Sequence, residues 1–319
     1  MKSIKTTMTA MALAVMACAH VSAQKATPMA AGADPLRIAT GKKGKGYSKL
    51  FADIQSVCGT QLALTEVETE GGLQNLTTLA ANKADLGFVQ LDTLQDLKTS
   101  DQAIGGLQAV LPLNANLLHV VARTDGYSSV GPERYWGALK GTTTTSPVGR
   151  FSDLKGLPVA VVGSARALGR VLDRGQAMTL QFIDVETDEQ AFAKLKAGEV
   201  AGVLSTSGWP SGPIQKLRRD SAFRLLPFDA AVQPPYQLVR KNYENLDAFN
   251  HAFLAAPNLL VTHPFTVTGA KGKMVAALQT CIVKNLVNLQ EGPFESAWRE
   301  VRNTSDTFGW PRFGVSGTH

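Results

Sequence analysis

Apolar positions follow two rhythms along this chain, one with a period near two and one near 3.6. Leu36-Arg37-Ile38-Ala39 reads as a short strand, and a glycine-rich turn follows over residues 41–46. Tyr47, Leu50, Phe51, Ile54 and Val57 then recur at helical spacing until Gly59 stops the helix. Residues 62–67 form a second strand, and Gly71-Gly72 opens a helix with Leu73, Leu76 and Leu79 on one face. Leu86-Gly87-Phe88-Val89 is a third strand. This βαβαβ order predicts a parallel sheet with right-handed crossovers.

Residues 117–122 add another apolar strand before the composition changes. Residues 126–151 are rich in Gly, Ser, Thr and Pro, and include Thr142-Thr143-Thr144-Thr145. They read as a surface insertion or loop near a domain boundary, long enough to imply ordered packing or a functional role. A second βα series follows: a strand at 159–162, Gly163-Ser164 and a helix to about Arg174, then a strand at 180–185. Asp188 caps a helix carrying Ala191, Phe192 and Leu195, which Gly198 ends. A strand at 200–204, the loop 205–212 and a short strand at 223–226 complete the series. After Tyr236-Gln237-Leu238-Val239 the pattern predicts helices at 246–256, 273–290 and 293–302, a set suited to covering the first sheet.

The N-terminus changes the picture from a generic α/β chain to an exported one. Lys2 and Lys5 precede the uncharged, mostly apolar residues 8–19, and Val21-Ser22-Ala23 presents small residues for cleavage before Gln24. The apolar core is too short to span a bilayer, which takes about 20 residues. An uncleaved anchor and a lipoprotein site at Cys18 are the alternatives, the latter disfavoured by bulky Met16. The address implied is the periplasm. Removing Lys2 and Lys5 leaves 30 basic against 26 acidic side chains, a net of about +4. Without a long basic tract, this excess favours a small anionic ligand over nucleic acid. If Cys18 leaves with the signal, Cys58 and Cys281 remain, an even pair that reads as one disulfide or as two separate buried thiols. A bridge would tie the two ends of the chain together. Domain 1 is then expected to be discontinuous, 34–122 plus 240–319, with 123–239 as domain 2 and 1–23 as signal peptide.

Five loops sit at the carboxyl ends of the expected parallel strands, where open α/β sheets bind ligands. They are Gly41-Lys42-Lys43-Gly44-Lys45-Gly46-Tyr47, Glu70-Gly71-Gly72-Leu73-Gln74-Asn75, Gln90-Leu91-Asp92, Gly163-Ser164-Ala165-Arg166 and Ser207-Gly208-Trp209-Pro210. Each alone is an ordinary turn, but their recurrence in both halves indicates a cleft. The first loop is neither a Walker A loop, since Tyr47 follows Gly46, nor a G-x-G-x-x-G loop. There is no G-x-S-x-G elbow, and His119, His251, His263 and His319 lack metal-site spacing. His119 reads as a satisfied core residue. The chain is expected to need no cofactor and to be no enzyme.

At these loops the chain resembles the TAXI-type solute-binding proteins of tripartite (TRAP) transporters. The likeness lies in 38–47, in Glu68-Thr69-Glu70-Gly71-Gly72-Leu73-Gln74-Asn75-Leu76, and in Ala84-Asp85-Leu86-Gly87-Phe88-Val89-Gln90-Leu91-Asp92. It continues through 153–159 and Gly208-Trp209-Pro210 with Ile214, and spans residues 36–226. The resemblance implies a two-lobed periplasmic binding protein fold, each lobe a mostly parallel sheet flanked by helices, with a ligand cleft between the lobes. It also implies delivery of amino acids or dicarboxylates to a membrane permease. It places Tyr47 in the cleft, Asn75 as an amide donor at a helix start, and Gln90 and Asp92 on the floor. Departures from the family pattern occur at Lys45-Gly46, at 71–75 and at 163–166. Lys45 and Arg166 are candidate carboxylate partners or solvated surface charges. The expected ligand-binding set is therefore Lys45, Tyr47, Gly71, Gly72, Asn75, Gln90, Asp92, Ser164, Arg166, Gly208 and Trp209. The expected function is capture of a small, anionic or amino-acid-like solute by a monomer. The alternatives are a periplasmic module reporting occupancy to a sensor, with Tyr135-Trp136 as a partner surface, and an enzyme with dispersed residues.

Overall fold

The computed structural model describes residues 34–135, 138–219 and 222–314. The expected signal segment, Cys18, Trp136 and His319 lie outside them. The chain starts as its pattern predicts. Strands β1 (Leu36–Ala39), β2 (Leu64–Val67) and β3 (Leu86–Gln90) alternate with helices α1 (Gly46–Cys58) and α2 (Gly72–Ala80). Both β1–β2 and β1–β3 pairings are parallel. Helices α3 (Leu91–Leu97) and α4 (Gln102–Gly105) lead to β4 (Gln108–Arg123), a strand of 16 residues. The hairpin β5 (Tyr127–Tyr135) and β6 (Ala138–Ser146) follows as a separate two-stranded sheet.

The second parallel unit comprises β7 (Pro158–Val162), α5 (Ala165–Gln176), β8 (Gln181–Val185), α6 (Asp188–Ala197) and β9 (Gly202–Ser207). Helix α7 (Gly212–Gln215) and strands β10 (Phe223–Leu225), β11 (Gln237–Tyr243) and β12 (Ala248–Thr262) lead to α8 (Ala270–Lys284) and α9 (Leu286–Glu291). One sheet runs β2-β1-β3-β12-β4-β9-β7-β8, with β11 on β12 and β10 on β4.

The long antiparallel pair β4–β12 joins the two halves. Its side chains divide by position: Val110, Leu111, Leu113 and Leu260 pack with Leu36, Ile38 and Phe88, whereas Leu118, Val120, Leu254 and Ala256 pack with Val159, Leu168 and Leu204. Residues 117–122 and 243–256 thus pack with the second core, although they were expected in domain 1. The helix expected at 246–256 is a strand, which corrects that reading. Phe253 and Ala255 face one cluster while Leu254 and Ala256 face the other, so the run is apolar because both faces are covered. The segment 126–151, expected as a surface insertion or loop with ordered packing or a functional role, is largely the β5–β6 ribbon.

Cys58 at the end of α1 and Cys281 in α8 form a disulfide, with Cα atoms 6.0 Å apart. Met274, Val275, Leu278 and Ile282 of α8 cover the first sheet, as expected. Among the described residues, no helix is long and apolar enough to cross a membrane.

Candidate solute cleft

The strand-end loops of both halves meet. Gly41 and Gly71 approach so closely that a Cβ on Gly41 would stand 3.6 Å from the Gly71 Cα. Gly71 adopts φ 126°, a region side chains avoid. A Cβ on Gly72 would lie 3.1 Å from the Ser164 hydroxyl and 3.7 Å from the Gln90 backbone nitrogen. The loops after β2, β3 and β7 therefore converge on one point, and the tight approach falls at Gly72 of the loop after β2.

Asn75 holds this convergence together. Its amide donates to the carbonyls of Thr40 (2.6 Å) and Phe88 (2.7 Å), and its carbonyl accepts from the Thr69 hydroxyl (2.5 Å). The side chain is fully buried. The family resemblance implied a ligand-facing amide at Asn75; in this structure both amide hydrogens are given to protein carbonyls. It is a positioning residue that fixes the ends of β1 and β3 and the loop after β2.

The cleft floor is polar and lies where the long strands cross. Tyr47 stacks on Phe88 with ring centroids 5.4 Å apart, and its hydroxyl donates to Asn258 Oδ1 at 2.8 Å. Asn258 sits opposite Gln90 in the β3–β12 register. Asn116 of β4 donates to Gln90 Oε1 (3.1 Å), and Gln90 Nε2 donates to Asp92 Oδ2 (2.9 Å). Burial pushes the Asp92 carboxyl up to about 7, against donation from Gln90 and the Thr93 N–H. Burial also raises the Tyr47 and Tyr236 hydroxyls, and the charge of Asp92 adds to both effects. Around this floor, Thr93 Oγ1, Asn114 Oδ1, Ser207 Oγ, Tyr236 Oη and Asn258 Nδ2 are buried without a hydrogen-bond partner among the described residues. Natural interiors leave few such atoms unsatisfied.

The rim carries the charges. Lys45 is exposed ahead of α1, and Lys42 pairs with Glu70 at 2.7 Å. Arg166 is paired with Asp184, so it is already neutralised by the second half. Asp96 of α3 accepts from Arg170 of α5 at 2.8 Å, a link between the halves that Arg174 extends at 3.7 Å. A cavity of about 350 Å³ lies beside this link, lined among others by Leu73, Thr93, Ser164 and Arg166. A Cβ on Gly208 would reach the Asn114 amide at 4.0 Å, close to the floor. Trp209 points elsewhere: its indole N–H meets the Asn242 carbonyl at 3.4 Å, and the Lys241 ammonium sits 4.7 Å over its ring. A larger open depression of about 710 Å³, at residues 215–219 with Glu244 and Asn245, contains none of the expected ligand residues.

The structure thus brings Tyr47, Gly71, Gly72, Gln90, Asp92, Ser164 and Gly208 toward one cleft, and leaves Lys45 on its rim. Sequence reasoning missed Asn114, Asn116, Asn258 and Tyr236. For the three asparagines the signal was an amide within an otherwise apolar strand, as in Leu113-Asn114-Ala115-Asn116-Leu117 and Pro257-Asn258-Leu259.

No protein-family model and no curated protein matches the chain. Among solved structures, the amino acid ABC transporter substrate-binding protein AbpA from Streptococcus pneumoniae, bound to L-arginine, is similar at TM-score 0.50 and 10% identity. That match covers 84% of this chain and 97% of that one. Tv2483 bound to L-arginine is similar at TM-score 0.50 and 12% identity, over 80% of this chain and 86% of that one. At such low identity the likeness concerns architecture. The chain has the two-lobed α/β fold of periplasmic binding proteins.

Proposed function

We propose that this protein is an exported solute-binding protein that closes on one small molecule and presents the closed form to a membrane transporter. The observation that carries the reading is the set of unpartnered polar atoms at the cleft floor. Thr93 and Asn258 come from the first lobe, Ser207 and Tyr236 from the second, and Asn114 from a connecting strand. Buried hydroxyls and amides of this kind are costly unless something hydrogen-bonds them, and a solute held between the lobes would do so. The residues expected at 1–23 support export to the periplasm, and the motif likeness at 68–76 and 84–92 supports a TAXI-type receptor of a TRAP permease. Binding without catalysis suits this geometry, because a carrier gains nothing by favouring a transition state.

The test is native mass spectrometry of the protein as purified, followed by a thermal-shift screen of amino acids, keto acids and amines. A solute at a hundred times its dissociation constant is expected to stabilise the protein by about 2.7 kcal/mol. A protein that carries no small molecule, and that none of these classes stabilises, would defeat the reading.

A further inference from the structure

Asp92 is the group at the cleft floor that its protein surroundings do not explain. The side chain is fully buried at the start of α3, and its partners are two neutral donors, Gln90 Nε2 and the Thr93 N–H. Asp85 offers the contrast. It is 4% exposed and is met by the Arg37 guanidinium at 3.1 Å and the Lys271 ammonium at 3.1 Å. Asp96, one helical turn beyond Asp92, has Arg170 and Arg174. Among the described residues, no Lys, Arg or His stands within ion-pair distance of Asp92. An ionised carboxylate in such a place is strongly disfavoured until a cation joins it.

The surroundings can accept from such a visitor. Asn114 Oδ1 is a buried acceptor without a partner, the unpartnered hydroxyls of Thr93 and Tyr236 can accept as well as donate, Asn258 Nδ2 is an unpartnered donor beside them, and Tyr47 Oη has already given its hydrogen to Asn258. Of the basic side chains expected to grip the solute, Lys45 is exposed on the rim, and Arg166, which lines the cavity with Thr93, is paired through its guanidinium with Asp184.

We propose that Asp92 receives a positively charged nitrogen of the solute, so that the molecule carried is an amine or an amino acid and not a plain carboxylic or keto acid. The proposal rests on the solute-binding reading and names the chemical class. Any carboxylate on the same molecule is left to the basic rim. Selectivity follows from the same physics: an analogue lacking the nitrogen leaves a buried acid without its partner, which a site of this kind rejects strongly.

A proton is coupled to the event. Asp92 titrates near 7 when buried among neutral groups, and a cation beside it lowers that value. The groups facing it give no competing cation. Gln90 and Thr93 are neutral donors, Tyr47 from α1 and Tyr236 ahead of β11 are neutral hydroxyls, Asp96 on α3 raises it further, and Arg170 and Arg174 of α5 are engaged by Asp96. Binding below pH 7 therefore expels a proton, and affinity for an amine rises with pH until about 7, then levels.

The probes are matched pairs differing at one position: L-glutamate and 2-oxoglutarate, L-alanine and pyruvate, L-phenylalanine and phenylpyruvate. L-arginine, agmatine and putrescine complete the set. Thermal shift ranks them, and calorimetry at pH 6.5 in buffers of different ionisation enthalpy counts protons. The expected result is stabilisation by amine-bearing members alone, with proton release. In Asp92→Asn the best amine probe should bind at least about tenfold more weakly, the scale of one lost charge-assisted hydrogen bond, without that release. Asp92→Ser serves if the asparagine variant does not fold. Stabilisation by keto acids equal to that by their amine partners overturns the proposal and leaves the solute-binding reading intact. So does an Asp92→Asn protein that binds the amine probe as tightly as wild type. Failure of every probe, amine and keto acid alike, overturns both.

Discussion

Replacing both cysteines, C58A/C281A, is expected to lower the unfolding free energy by about 2–5 kcal/mol, the range found when long-loop disulfides are removed. The two cysteines are 223 residues apart in sequence, so the bridge closes nearly the whole described chain into one loop. A link of that span restricts the unfolded chain strongly, since closure entropy grows with loop length. It also fixes α8 against α1, and through them Val275, Leu278 and Ile282 against Leu36 and Ile54. Both cysteines are buried, at 0% and 7% exposure, so the effect of reductant should appear only once the protein opens. Urea unfolding of wild type and variant checks the magnitude. Midpoints that coincide would mean the bridge contributes little beyond the packing of α8.

The second large effect concerns acid. His119 is buried in β4, with its Nε2 2.8 Å from the Tyr243 hydroxyl. That hydroxyl also accepts the Ser211 N–H at 2.7 Å. Burial pushes His119 down to about 3, and His251 nearby is lowered too. In the unfolded chain a histidine takes a proton near 6.5. As pH falls below 6.5 the unfolded state gains a proton that the folded state refuses, so stability declines until about pH 3. Each pH unit in that window amounts to about 1.4 kcal/mol for one such group.

Asp92 has the opposite sign. Its raised value means the folded state holds a proton between the ordinary carboxylate range and 7, so acidification across that window favours folding. The two contributions offset each other in wild type, and the effect of His119 is visible as a difference. The variant His119→Gln keeps an acceptor for Tyr243 and removes the titration. Its stability relative to wild type should improve steadily from pH 6.5 down to 4.5, by about 1–3 kcal/mol in total. Urea midpoints at four pH values would show it, and a difference that stays constant with pH would exclude the buried neutral histidine as the cause.

These effects trace back to features that were unequally legible in the sequence. The βαβαβ start was readable because Leu50, Phe51 and Ile54 keep helical spacing between strands. The covering helix α8 was readable from the C-terminal periodicity, whereas the even cysteine count left the bridge as one of two readings. The long strand β12 was not readable, because a run buried on both faces loses the alternation that marks a strand. Read as a helix over 246–256, the run hid that Phe253 and Ala255 pack with residues of the second parallel unit such as Ala160 and Val203. At the site, the loops bearing Tyr47, Gln90 and Asp92 were legible as strand ends, while the placement of these three side chains came from the family resemblance. The role of Asn75 depends on carbonyls at Thr40 and Phe88, and that of Arg166 on Asp184 across β8. Such partners are set by tertiary packing, which a single chain pattern does not display. The floor amides Asn116 and Asn258 were hidden for the same reason, since polar residues in apolar strands gain meaning only when the strands are seen to cross.

Amide hydrogen exchange tests the account most directly, with and without whichever probe stabilises the protein most. Solute held between the lobes should slow exchange together in segments 41–47, 71–75, 90–93, 163–166 and 205–209, which belong to both halves of the chain. Protection confined to one half, or centred on the open depression at 215–219 and 244–245, would contradict a cleft at the strand ends.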